Sequence, residues 1–221
     1  MNLLERLTDA EESIRDSTLK PALELLIPGW VKPNHITLLR AVLVSSAIIL
    51  YLLHTPLAAQ IWILTAAALT DLIDGPLARL RKQCSRRGAY LDQLSDWFLG
   101  AWAGTLVLMT GLLPLAAIIL MVLPQIGVFA TDRIRASRLS NDGDSKSERA
   151  LTIAMGAANF RPTTIARLQF VTVLLGFLLI LLSRAARKKA FYWAGLGSLA
   201  FEIVLAWLLL GHGIYKAASE S

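Results

Sequence analysis

Four aspartates, Asp71, Asp74, Asp92 and Asp96, fall within sequence that is otherwise apolar over runs long enough to enter a membrane. A carboxylate near hydrocarbon costs about 2.5 kcal/mol or more, and four of them in one hairpin are untenable without compensating positive charge. The chain must fold so that these side chains meet a cation. At about 3.6 residues per turn, Asp71 and Asp74 share one helical face, and so do Asp92 and Asp96. Two antiparallel helices facing each other would gather the four into one oxygen-lined cage. Hard divalent ions such as Mg2+ or Mn2+ take donors of this kind, and paired ions about 3.5–4 Å apart are a common device for displacement at phosphorus.

The residues between the aspartates suit the same chemistry. Gly75 and Gly88 carry no side chain and let a backbone or a phosphate approach closely. Ala78 does nearly the same one turn beyond Asp74, and Arg79 supplies a forked donor for phosphate. Singly, each has a plain explanation: aspartate caps helices, and small residues sit where membrane helices pack. In order, Asp71, Asp74, Gly75, Ala78, Arg79, Gly88, Asp92 and Asp96 resemble, without a departure, the signature of the CDP-alcohol phosphotransferase family of integral membrane enzymes. The resemblance implies a six-helix membrane fold, two divalent metal ions (Mg2+ or Mn2+) and transfer of a phosphatidyl-type group from a CDP-linked donor to an alcohol, with release of CMP. By the same resemblance Asp71, Asp74, Asp92 and Asp96 hold metal, and Asp96 takes the proton of the attacking hydroxyl. Asp71, Asp74, Gly75, Ala78, Arg79, Gly88 and Asp92 line the CDP site. A homodimer is also implied.

Composition agrees with an all-α integral membrane bundle, since 55% of the 221 residues are hydrophobic. Apolar runs near the ~20 residues needed to cross hydrocarbon predict about six transmembrane helices. They lie at Ile36–Leu53, Leu57–Leu77, Leu91–Leu112, Leu113–Ala130, Ile165–Leu182 and Phe191–Leu210. With the N-terminus in the cytoplasm, only Arg184, Arg187, Lys188 and Lys189 of the 22 Lys and Arg residues fall on the outer side. That bias faces the aspartate site toward the cytoplasm. The net charge of +6 raises the question of nucleic acid, but the basic residues border apolar spans and form no nucleic-acid motif. Contact with membrane lipid headgroups explains them better.

Residues 1–30 read as an N-terminal amphipathic segment ahead of a transmembrane domain at 31–221. Acidic residues interrupt any signal-peptide core, whereas Leu3, Leu7, Ala10 and Ile14 share a helical face suited to the membrane interface or to the protein's own surface. Pro33-Asn34-x-x-Thr37-x-x-Arg40 follows. Asn34 suits a helix cap, and Arg40 is expensive to bury without an anionic partner. The segment also resembles the family's entrance to the first helix, where Asn and Thr approach the nucleotide.

After the fourth span, Arg133, Arg135 and Arg138 suit either an anionic acceptor or headgroup anchoring. Glu202 stands alone in the last span, suited to a helix partner or subunit contact, and Cys84 is an isolated loop residue. Within the family the chain looks most like phosphatidylglycerophosphate synthases, which join CDP-diacylglycerol to glycerol 3-phosphate, a small polar acceptor. It departs from them at Trp97, where they place Lys, and at Phe160-Arg161-Pro162-Thr163-Thr164, where they carry Gly-Lys-x-Lys-Thr. Inositol phosphate, serine or another polyol therefore stay open as acceptors. A divalent-cation transporter is the reading from another class, though it would place its ligands near the midplane on broken, repeated helices.

Overall fold

The computed structural model describes residues 17–18, 20–21, 23, 25, 27–83, 85–139 and 164–219. Past the N-terminal segment these form six helices: α1 (Pro33–Leu52), α2 (Leu57–Leu80), α3 (Arg86–Met109), α4 (Leu115–Leu139), α5 (Thr164–Ala186) and α6 (Lys189–Ser219). No strand occurs among the described residues. Five of the six are long and apolar enough to cross a membrane. The exception, α3, matches α2 at 24 residues but carries Arg86, Arg87, Asp92 and Asp96 in its first half.

The outer surface differs from that of a water-soluble domain. Leu38, Ile49, Trp62, Ile126 and Leu208 face outward, while Arg40, Gln60, Asp74, Ser95, Gln169 and Glu202 are buried. Outward apolar side chains meet lipid at no cost, and polar groups that cannot be left in hydrocarbon find partners inside. The chain is thus a multi-pass membrane protein. Its core includes Val44, Leu64, Leu99, Leu106, Ile180 and Leu181, drawn from α1, α2, α3 and α5.

Helix association in lipid depends on close packing, because burying apolar surface gains little there. α5 and α6 show this at Gly176 and Gly195, where a Cβ on Gly195 would stand 2.9 Å from the Gly176 carbonyl oxygen. α1 lies along α2 and also meets α3, which brings the first three helices around one point.

Four short turns connect the helices within the described residues, and each holds one residue with positive φ: His54, Lys82, Gly111 and Arg187. After α1, α2 and α5 the chain closes by a six-residue hydrogen-bonded loop: Thr55 N–H to the Leu50 carbonyl, Gln83 to Ala78, and Lys188 to Ser183. This closure satisfies carbonyls left open at the helix end. Because passes alternate, the α2–α3 turn lies at one end of the bundle and the other three lie at the opposite end.

The N-terminal segment is helical at residues 17–18, 20–21, 23 and 25 and docks on the α2–α3 end. Leu23 is buried, and the Arg81 guanidinium donates to the carbonyls of Ile27 (3.1 Å), Pro28 (2.9 Å) and Gly29 (3.3 Å). Leu3, Leu7, Ala10 and Ile14 lie outside the described residues. The expected cap at Asn34 is corrected: Lys32 is the N-cap and Pro33 opens the helix, so Asn34 sits one residue inside it. The Lys32 N–H is instead satisfied by His35 Nδ1 at 3.3 Å.

Candidate active site

Arg40 sits two turns into α1 with no exposed surface, and its guanidinium receives carboxylates from two other helices. Nη2 lies 3.1 Å from Asp71 Oδ1 and bonds Asp74 Oδ2, both on α2. Nη1 lies 3.0 Å from Asp92 Oδ1 and bonds Asp96 Oδ1, both on α3. Nε donates to Thr70 Oγ1 at 3.3 Å. One planar fork thus reads two carboxylate pairs, a task to which lysine, a point charge, is unsuited. Helical spacing explains each pair, and α1 supplies the contact that joins them.

Two hydroxyls tie this cluster to α1. Thr37, one turn before Arg40, donates to Asp74 Oδ2 at 3.4 Å, and Ser95 donates to the Thr37 carbonyl at 3.3 Å. Asp74 Oδ1 is buried with no hydrogen-bond partner. Oxygens of Asp71, Asp74 and Asp92 lie within 4.8 Å of one another. Four carboxylates facing one guanidinium leave the cluster short of positive charge, and an orphaned buried oxygen marks the same deficit. All the donors are hard oxygens, so the residues present fit a divalent ion such as Mg2+ or Mn2+. Asp96 stands outside the three-oxygen group, on Nη1 of Arg40.

The remaining expected residues surround this point unevenly. Gly88 packs tightly: a Cβ there would come 3.0 Å from Ser85 Oγ and 3.2 Å from Asn34 Oδ1. The Ser85 hydroxyl caps α3 by accepting from the Gly88 N–H at 3.0 Å, and Asn34 reaches across from α1 to the same spot. Gly75 has room to spare, since its Cβ would meet only Arg79 Nη1, at 3.7 Å. Ala78 and Arg79 are half-buried, and Arg79 lines a cavity of about 210 Å³ with Lys20 and Pro76.

On α4, the Arg133 guanidinium carbon stands 4.1 Å over the Phe129 ring, which meets Trp97 edge-on at 4.9 Å. Arg133 is thereby joined to the residue that follows Asp96. The side chains of Arg135 and Arg138 lie outside the described residues, as does Cys84. Glu202 is separate from the aspartates: its Oε1 accepts from Gln125 and Gln169 at 3.1 Å each, which ties α4, α5 and α6 together.

Arg40 is the residue that reading motifs alone did not place in the site. Its signal was present, as a lone cation in an apolar span, but spacing gives a face on its own helix and not the neighbour that face will meet. Thr70 and Ser95 carried no signal at all.

The sequence model of the CDP-alcohol phosphatidyltransferase family matches residues 30–208. A protein of Cereibacter sphaeroides named CDP-diacylglycerol–glycerol-3-phosphate 3-phosphatidyltransferase is 39% identical over 86 residues, covering 38% of this chain and 38% of its own. A protein of the same name from Sodalis glossinidius is 38% identical over 88 residues, covering 38% of this chain and 45% of its own. The chain therefore spans less than half the length of these curated relatives. No solved structure matches the chain. Since the family match takes in α1, α2, α3 and the whole aspartate cluster, the chain belongs to the CDP-alcohol phosphatidyltransferase family.

Proposed function

We propose that the chain is a phospholipid-synthesis enzyme that moves the phosphatidyl group of CDP-diacylglycerol to glycerol 3-phosphate and releases CMP. The observation that carries this reading is the convergence of four carboxylates from α2 and α3 on one buried point beside α1. The acceptor rests on the printed names of the two relatives.

Asp71, Asp74 and Asp92, with Asp96 completing the set, would hold two divalent ions, Mg2+ or Mn2+. Bound there, the ions supply Lewis-acid neutralisation of charge on the donor's pyrophosphate. The room beside Gly75 would admit that pyrophosphate, with Ala78 lining the CDP site and Arg79 giving it a forked donor. Asn34, Thr37 and Gly88 line the nucleotide side.

Asp96 would accept the proton of the acceptor hydroxyl as its oxygen bonds the phosphorus that bears diacylglycerol and the bond from that phosphorus to CMP breaks. Arg40 acts as a positioning residue, holding both carboxylate pairs at one place. Arg133, Arg135 and Arg138 would take the acceptor's phosphate. The Lys and Arg distribution supports a site that opens to the cytoplasm, where soluble acceptors are made. The reading includes a homodimer.

One observation favours a second acceptor reading. Trp97 stands where glycerol-phosphate enzymes resembling this chain carry Lys, and it packs on Phe129 instead of offering a charge. Inositol phosphate, serine or another polyol would then replace glycerol 3-phosphate in the same chemistry. Purified protein incubated with CDP-diacylglycerol, Mg2+ or Mn2+ and a panel of acceptors separates these cases by CMP release. Release that requires glycerol 3-phosphate supports the first reading. Release with another acceptor only overturns that choice, and none with any acceptor overturns the reaction.

A further inference from the structure

The end of the bundle remote from the aspartates carries a second, differently charged site. Arg184, Arg187, Lys188 and Lys189 crowd the α5–α6 turn and, with Tyr192 and Trp193, line a cavity of about 510 Å³. Its walls are held in place. The Arg184 guanidinium donates to the Thr110 carbonyl at 2.8 Å, and the Tyr192 hydroxyl donates to the Leu112 carbonyl at 3.3 Å, so the α3–α4 and α5–α6 turns are clamped together. Arg187, Lys188 and Lys189 are exposed and make no such bond.

Among the described residues no carboxylate lies near enough to balance these charges. Neither Asp nor Glu occurs in residues 41–70, 97–131 or 164–201, which include every turn at this end. Four cations gathered against apolar helices take their counter-anions from outside the chain. Exposed Trp193 and half-buried Tyr192 place the cavity mouth at headgroup depth, where such rings favour the boundary between water and hydrocarbon. A phosphate whose attached chains run down the outward apolar faces fits both features, and a free phosphate fits only the first.

We propose that this cavity binds the phosphate headgroup of an anionic phospholipid, on the membrane face opposite the aspartate site. The rise of α3 from Asp96 to Thr110 separates the two places by about 21 Å, so one molecule's headgroup does not serve both. The proposal does not depend on the transferase reading.

Full-length protein in nonionic detergent, mixed with phosphatidylglycerol or phosphatidylcholine and followed by native mass spectrometry, measures retention directly. A variant combining Arg187→Gln, Lys188→Gln and Lys189→Gln leaves the Arg184 and Tyr192 clamps intact. Each Lys or Arg near an anionic surface strengthens binding about five-fold, so the variant is expected to hold phosphatidylglycerol about a hundred-fold more weakly. Wild-type protein is expected to prefer phosphatidylglycerol over phosphatidylcholine. A photoactivatable phosphatidylglycerol should label residues 183–193 of the wild type, and excess inorganic phosphate should not displace it. That labelling decides the matter even if the variant fails to fold. Equal retention by a folded variant, equal retention of phosphatidylcholine, labelling elsewhere only, or displacement by inorganic phosphate overturns the proposal.

Discussion

At Arg40 a single guanidinium faces four carboxylates, so removing the arginine and removing one aspartate have different electrostatic consequences. Arg40→Gln leaves the buried Asp74 and three part-exposed carboxylates without their cation, a class of change that costs about 3–5 kcal/mol where the group is buried. The thermal midpoint of that variant should fall, and millimolar Mg2+ or Mn2+ should restore more of the loss than it adds to the wild type. No recovery would mean that divalent ions do not share the cluster with Arg40. Asp96→Asn keeps shape but removes a base, so CMP release should drop by about 10²–10⁴ while CDP binding persists. Unchanged turnover would remove Asp96 from its role. At this scale the sequence was legible for the aspartates, whose i, i+3 and i, i+4 spacing states a shared face. It was illegible for the partner of Arg40, which depends on how α1 settles between α2 and α3.

Helices were easier to foresee than their ends. The apolar run from Leu113 to Ala130 marks the lipid-crossing part of α4, but the helix continues to Leu139 because backbone hydrogen bonding does not stop where hydrocarbon does. For the same reason α6 runs to Ser219, beyond the apolar run that ends at Leu210. α3 begins at Arg86, five residues before its apolar stretch, since Ser85 caps it there. What sequence hid is the closeness of α5 and α6, because Gly176 and Gly195 resemble Gly100 and Gly197 until the partner helix is known. Gly195→Ala drives a methyl against the Gly176 carbonyl and the Ile180 backbone N, at 2.9 and 3.1 Å. Overpacking of this kind should destabilise by about 1–3 kcal/mol, read as a lower thermal midpoint. Gly197→Ala meets nothing within 4 Å and should be neutral or gain up to about 1 kcal/mol of helix propensity. Equal effects at the two glycines would contradict the close α5–α6 packing.

For the molecule as a whole, an apolar core encloses a few polar groups, apolar side chains also cover the outside, and the two ends differ in charge. The aspartate end carries acidic side chains and the basic α2–α3 turn, whereas among the described residues the opposite end holds basic groups and no acidic ones. With Cys84 replaced by Ser, cysteines placed at Gln83 and Gly111 should report opposite sides: an impermeant maleimide applied to intact cells should label position 111 and spare position 83. The reverse pattern would invert the orientation. The claim on which the rest depends is that the carboxylate cluster holds divalent ions and, through them, a nucleotide diphosphate. Titrating CDP into purified protein with and without Mn2+, and following the Mn2+ signal by electron paramagnetic resonance, tests it most directly. CDP should bind only when Mn2+ is present, should change the Mn2+ spectrum, and should lose affinity at least ten-fold in Asp71→Asn. CDP binding that survives a chelator unchanged, or Mn2+ that binds the Asp71→Asn variant as it binds the wild type, would contradict it.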